Sequence, residues 1–202
     1  MSSNLTPSAI LYEDIMKKHL YDYVKIYKNF ISDAFCDQVV KELKEVKWRE
    51  HTFYSVERNE YTSNGEDALV YYDEINSSKK LMEITWKIIH QYVCNDINFP
   101  WMNGWTAFSG TKFNRYDINT SMNEHCDHIY SLFDGTKRGV PILTVLGALN
   151  NDYEGGELIF FEDQTIDLKK GDVMVFPSNF MYPHKVCSIT DGERYSFANW
   201  VW

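Results

Sequence analysis

The sequence predicts an α+β fold, with helices in the first half and a jelly roll or related β-sandwich in the second. Two segments within the first hundred residues repeat their apolar side chains at helical spacing. From Asn103 to Trp202, short apolar runs recur roughly every ten residues, each closed by turn residues. Composition agrees. The 202 residues are 44% hydrophobic and 16% aromatic, enough for one globular domain with a core and a lined pocket.

In chain order, residues 1–20 read as an N-terminal extension and 21–202 as a single domain. Within it, 21–100 form a helical support and 101–202 a strand core. Asp22–Tyr27 alternates and predicts a short strand. Ser32 or Asp33 caps a helix to about Val46, with Cys36, Val39, Val40, Leu43 and Val46 on one face. A second helix runs from Ser77 or Ser78 to about Val93. Its stripe of Leu81, Thr85, Ile88 and Tyr92, widened by Met82, Trp86, Ile89 and Val93, suits packing against a sheet. Between them, Arg58–Asp67 is polar, contains Asn64–Gly65, and reads as a long exposed loop, a candidate lid.

The strand half begins with Trp105–Tyr116 and Met122–Asp127. Pro141–Leu149 is a continuous apolar run, as expected of a strand buried on both faces. Glu157–Phe161, Thr165–Leu168, Val173–Phe176, Tyr182–Ile189 and Tyr195–Trp202 follow, separated by Gly155–Gly156, the Lys169–Asp172 turn and Pro177–Ser178.

The charge sum, 20 basic against 29 acidic residues, gives −9 and argues against a nucleic-acid backbone as partner. Met1–Tyr12 lacks a basic stretch followed by an apolar core. No run approaches the ~18 apolar residues of a membrane span. Cys36, Cys94, Cys126 and Cys187 form no CxxC pair. Together these predict a cytoplasmic protein with reduced thiols and no membrane partner.

The chemistry concentrates in Asn123-Glu-His125-Cys-Asp127-His128. In a strand, His125 and Asp127 share a face and can meet one ion, while parity turns Cys126 and His128 away. Of the six histidines, His184 is the best third ligand, because it lies on a predicted strand of the same half. Two imidazoles and one carboxylate make a facial triad that leaves positions open on Fe(II) for a cosubstrate and O₂. Arg194 follows His184 by ten residues, past the Asp191–Gly192 turn. A hairpin of that length returns its guanidinium beside His184, where it can grip a carboxylate bidentately.

From Tyr116 to Trp202 the chain resembles the Fe(II)- and 2-oxoglutarate-dependent dioxygenases of the prolyl 4-hydroxylase-like family. Tyr116 stands nine residues before His125, where the family has a 2-oxoglutarate-binding Tyr. Leu149-Asn-Asn-Asp-Tyr-Glu-Gly-Gly156 and Lys169-Lys-Gly171-Asp172 are similar to its strand–turn signatures. The His184–Arg194 interval is the family's, Trp200 falls where it often has a pocket Trp, and Val24–Asp37 resembles the usual domain start. Met122 departs from the pattern, which has an aromatic there.

The resemblance implies a double-stranded β-helix (jelly-roll) core with N-terminal helices packed on one sheet. It implies His125, Asp127 and His184 as metal ligands and catalytic residues, and Arg194, Tyr116, Thr144 and Trp200 as 2-oxoglutarate contacts. Fe(II) is the implied cofactor, 2-oxoglutarate and O₂ the cosubstrates, and ascorbate the reductant. The implied reaction is hydroxylation of an unactivated C–H with release of succinate and CO₂, and the retained Asp127 favours hydroxylation over halogenation. The first-choice acceptor is a prolyl residue of a peptide or protein, as in a procollagen-proline 4-dioxygenase, with Tyr61, Tyr72, Trp105 and Arg138 as substrate contacts. A free amino acid, another small molecule or a nucleobase is the competing acceptor. A non-catalytic metal-binding jelly roll and a Zn or Mn cupin-like hydrolase or isomerase are the other classes. The intact triad with Arg194 speaks against both.

Overall fold

The structure, a computed structural model, describes residues 19–55, 58–63, 65–102, 104–127 and 141–202. Leu20–Tyr23 forms a 3₁₀ turn, and the first strand is shorter than the alternation suggested: β1 is Lys25–Tyr27. Helix α1, Asp33–Leu43, follows Ser32 and buries Phe35, Cys36, Val39 and Leu43. It stops three residues before Val46, and the Trp48 indole N–H donates to the Leu43 carbonyl at 3.1 Å. That bond satisfies an acceptor the helix end leaves open.

Helix α2, Ser78–His90, buries Leu81, Thr85, Ile88 and Ile89. It continues as a π-helical segment, Gln91–Ile97, and ends where Asn98 turns left-handed at φ 45°. Between the helices lie β2 (Arg49–Glu50), β3 (Phe53–Ser55), β4 (Glu60–Thr62) and β5 (Leu69–Tyr71). The expected Arg58–Asp67 loop is therefore partly sheet. β4 pairs antiparallel with β3, Tyr54 opposite Tyr61, and Asn59 supplies a positive φ beside the turn. Three-residue polar strands carry no apolar alternation, so only pairing reveals them.

The second half contains β6 (Lys112–Tyr116), β7 (Met122–His125), β8 (Leu143–Ala148), β9 (Tyr153–Gly155), β10 (Leu158–Phe160), β11 (Gln164–Ile166) and β12 (Val173–Pro177). After them come β13 (His184–Val186), β14 (Ile189–Gly192) and β15 (Arg194–Val201), so the expected Tyr182–Ile189 strand is two shorter ones. A seven-stranded sheet runs β1-β12-β8-β15-β6-β5-β2, and a four-stranded sheet runs β11-β10-β13-β7. The antiparallel pairing across both is that of a jelly roll.

β15 shows why strand periodicity was hard to see. Every residue of it is buried. Tyr195, Phe197 and Val201 join α1 and α2 in one core, and the Thr85 hydroxyl of α2 donates to the Asn199 side chain at 3.2 Å. The alternate residues Arg194, Ala198 and Trp200 face the other way, into a cavity between the sheets. A second core lies on that side, built from Met122, Leu158, Phe160, Met174, Phe176 and Val186 among others. The helices thus cover one face of the large sheet, and the small sheet faces the other. No helix among the described residues is long and apolar enough to cross a membrane. All four cysteines are free thiols.

The Lys169–Asp172 turn ties this core to the N-terminal segment. Asp172 is 1% exposed and accepts bonds from Lys28 Nζ (2.9 Å), Asn29 N (2.9 Å) and Lys169 N (2.8 Å). Burial opposes ionisation, but these donors outweigh it and hold the carboxyl below the usual range. Asp172→Ala is expected to cost about 1–3 kcal/mol in urea unfolding, since it removes the buried acceptor that holds two backbone N–H groups and the half-exposed Lys28 ammonium together. Because the folded pKa is depressed, that contribution is present at neutral pH and lost as pH falls through the folded value. An unchanged unfolding midpoint would show that the staple is dispensable.

Candidate metal centre and cosubstrate pocket

Strand pairing brings the distant ligands together. β13 runs antiparallel to β7, and His184 sits directly opposite His125. Asp127 lies two residues beyond His125, just past the strand end. Ligand atoms of the three residues all fall within 4.8 Å of one another. His125 Nε2 is 3.7 Å from one Asp127 oxygen, and His184 Nε2 is 3.9 Å from the other.

Each imidazole is oriented the same way. His125 Nδ1 lies 2.7 Å from the Asn123 carbonyl, and His184 Nδ1 lies 3.1 Å from the Tyr182 carbonyl. A carbonyl only accepts, so Nδ1 carries the proton and the Nε2 lone pair points at the shared centre. Phe160 stacks on the His184 ring at 4.9 Å and Phe176 meets it edge-on at 5.2 Å. These rings fix the ligand and keep water away from it. Thr144 donates to Asp127 at 2.6 Å and is itself 2.8 Å from the Ser178 hydroxyl. Thr144 therefore orients the metal-side carboxylate.

Burial, and then the adjacent His184, push His125 down to about 4. Asp127 also resists ionisation through burial, but His184, His125, the Thr144 bond and Lys112 outweigh that and hold it below the carboxylate range. The site is thus preset as neutral imidazole plus carboxylate, the protonation states a divalent metal needs. Competition from the His125 proton should begin only as pH approaches about 4, not near 6.5. In the metal-free protein the His125 ring resonances are expected to titrate only as pH approaches about 4. A His125 midpoint at the free-imidazole value of about 6.5 would contradict it.

Register also places the far end of the pocket. Arg194 is opposite Tyr116, its guanidinium 5.0 Å from the Tyr116 ring and 6.0 Å from the Tyr153 ring. Arg194 is 3% exposed, yet its Nε and Nη1 are buried without hydrogen-bond partners. Native interiors rarely leave such donors open. A carboxylate is an acceptor that suits a buried guanidinium with open N–H donors. Gly156, at φ 68°, makes the space: a Cβ there would meet Ile189 Cδ1 at 2.4 Å and Arg194 Cδ at 3.2 Å.

The sites expected from the sequence separate as follows. His125, Asp127, His184, Arg194, Tyr116, Thr144 and Trp200 all line one cavity. Tyr61 lies on β4 and Tyr72 just after β5, 48% and 53% exposed, and neither lines it. Trp105 packs with Trp86 at 6.0 Å and His90 at 6.4 Å, on the helix-covered face of the large sheet. Arg138 and His128 lie outside the described residues. Two polar cavity residues were missed, Lys112 and Asn114. Counting back by twos from Tyr116 along β6 would have found both.

The comparisons follow this geometry. Residues 111–202 match the model of the 2OG-Fe(II) oxygenase superfamily. No curated protein sequence matches the chain significantly. Among solved structures, the fold is similar to a Trichoplax adhaerens prolyl hydroxylase bound to a hypoxia-inducible-factor peptide (TM-score 0.68, 16% identity, covering 98% of this chain and 94% of that one). It is similar to a Pseudomonas putida prolyl-4-hydroxylase (0.65, 14%, 95% and 96%). It is also similar to the viral collagen prolyl hydroxylase of Paramecium Bursaria Chlorella virus-1 in its 2OG complex (0.62, 16%, 89% and 94%). At these identities the likeness speaks for the fold. The superfamily implies Fe(II), 2-oxoglutarate and O₂, and the donors fit: three convergent N and O ligands for the metal, and an open buried guanidinium for a dicarboxylate. The segment that matches the 2OG-Fe(II) oxygenase superfamily, residues 111–202, is the one that carries the His-Asp-His centre.

Proposed function

We propose that the chain is a dioxygenase that hydroxylates an unactivated C–H bond, with a prolyl group as acceptor. The observation that carries the oxygenase reading is the pairing of the triad with a buried, unpartnered guanidinium in one cavity. Fe(II) bound with 2-oxoglutarate and O₂ supplies the oxidising chemistry, placing one oxygen atom in the alcohol and one in succinate as CO₂ leaves.

The chain's own residues do the rest. His125, Asp127 and His184 present three ligands on one side of the ion, leaving its other side to the reactants. Thr144 and Ser178 keep the Asp127 carboxylate in one orientation. Arg194 and Tyr116 hold the distal carboxylate of the cosubstrate, which fixes its length along the cavity. Phe160, Phe176 and Leu158 exclude water from the metal side. Support for the prolyl acceptor comes from the similar structures, one of which holds a peptide.

The test is an anaerobic preparation given Fe(II), ascorbate, 2-oxoglutarate and then air, with Pro-containing peptides, free proline, other amino acids and nucleosides. Succinate and hydroxylated product are expected in equal amounts with a prolyl compound. Succinate stimulated only by a nucleoside or a non-prolyl amino acid would replace the acceptor. No succinate under any condition would remove the enzymatic reading.

A further inference from the structure

Arg194 accounts for one cation in the cavity, and Lys112 is a second, to which the proposed function assigns no ligand. Lys112 is 7% exposed and lines the cavity. Its ammonium lies over the Trp200 ring, 5.8 Å from the centroid. No carboxylate among the described residues pairs with it within ion-pair distance. The two acids whose charge reaches it are Asp127 and Asp67. Asp127 is committed to the metal centre, and Asp67 sits 3.3 Å from His51 Nδ1. A second, independent observation points the same way. Trp200 is 8% exposed, and its indole N–H is buried without an acceptor. A buried indole N–H left without an acceptor, beside an enclosed lysine side chain, calls for an anionic acceptor between them.

Position separates this acceptor from the cosubstrate's own carboxylates. Lys112 pairs with Ala198, and Tyr116 with Arg194, on the same two strands. Four residues of strand separate the rungs by about 13 Å, longer than a five-carbon diacid. Trp200 pairs with Thr144, which holds Asp127, so the Lys112–Trp200 donors lie on the metal side. There the cosubstrate's near end is held by the metal and its far end by Arg194. On its other side β6 pairs with β5, where Tyr71 is opposite Phe113 and Tyr72 follows, 53% exposed.

We propose that Lys112 and the Trp200 N–H form a carboxylate anchor for the primary substrate, so that the prolyl acceptor carries a free carboxylate, as free proline or a chain-terminal prolyl residue. This rests on the oxygenase reading above and narrows its acceptor. An internal prolyl residue of a protein offers only an amide carbonyl at that point, which pairs with an ammonium more weakly.

The test is calorimetry on Mn(II)-loaded protein with 2-oxoglutarate, titrated with L-proline, L-prolinamide, a C-terminal prolyl dipeptide and its amide. Other free amino acids and their amides form a parallel arm. Acids are expected to bind roughly ten- to a hundredfold tighter than their amides. Lys112→Met should erase that difference, and Lys112→Arg should retain much of it. In turnover, Lys112→Met should raise the KM for the acid far more than that for 2-oxoglutarate. Equal binding of acid and amide by the native protein would overturn the anchor. So would a difference that survives Lys112→Met, or a KM rise confined to 2-oxoglutarate, which would assign Lys112 to the cosubstrate. A Lys112-dependent acid preference shown only by non-prolyl amino acids would support the anchor while ending the prolyl reading.

Discussion

Asp127→Ala is expected to abolish succinate formation and to weaken metal binding by more than about 100-fold, since even loss of a ligand's supporting partner costs 10- to 100-fold. The substitution removes the anionic member of the triad and leaves one buried and one partly exposed imidazole, 4.4 Å apart ring to ring, to share a dication. It also takes from Thr144 its charged acceptor, though the Ser178 contact remains. Asp127→Asn keeps the shape and loses the charge, so it separates electrostatics from folding. The measurement is Mn(II) titration beside a succinate assay. His125→Ala should behave alike. Native affinity in both variants would mean that the metal sits elsewhere.

Arg194→Ala should raise the 2-oxoglutarate KM at least about thirtyfold, as truncating one member of a buried charge pair costs about 2–5 kcal/mol. Arg194→Lys should recover only part of this, because a point-charge ammonium cannot reproduce the guanidinium fork. The effect should be specific to the loaded protein. Without cosubstrate, Arg194 Nε and Nη1 have no acceptor, so removing them sacrifices little internal bonding. With metal present, 2-oxoglutarate at 100 times its Kd should stabilise the native protein by about 2.7 kcal/mol, and the variant much less at the same concentration. Equal stabilisation of both would place the carboxylate anchor on another residue.

The candidate site was legible to different depths. The HxD spacing and a short list of six histidines sufficed to nominate the triad, because a strand's two-residue period makes convergence testable on paper. The ten-residue interval did the same for Arg194. Thr144 was named for the cosubstrate; it lines the cavity, and its hydroxyl also bonds the Asp127 carboxylate, which the sequence did not suggest. That depends on β8 of the large sheet meeting the end of β7 of the small one, which no local pattern encodes. Trp105 belongs to an irregular stretch before β6, where parity has no meaning, and it faces α2 instead of the cavity. Lys112 went unnoticed because a lysine is expected at the surface. Only burial beside Trp200 makes it informative.

The sequence by itself determined the class of the fold and nominated the triad and the guanidinium, since helical and strand periods and short spacings are properties of contiguous chain. The tertiary structure decided which strands became neighbours. His184 came to face His125 across one ladder, Arg194 faced Tyr116 across another, and a lysine was enclosed with them. Those outcomes come from packing helices on one side of the large sheet and a second sheet on the other. That packing gives every residue of β15 a buried face and turns an unremarkable Arg and Lys into charges that need an anion.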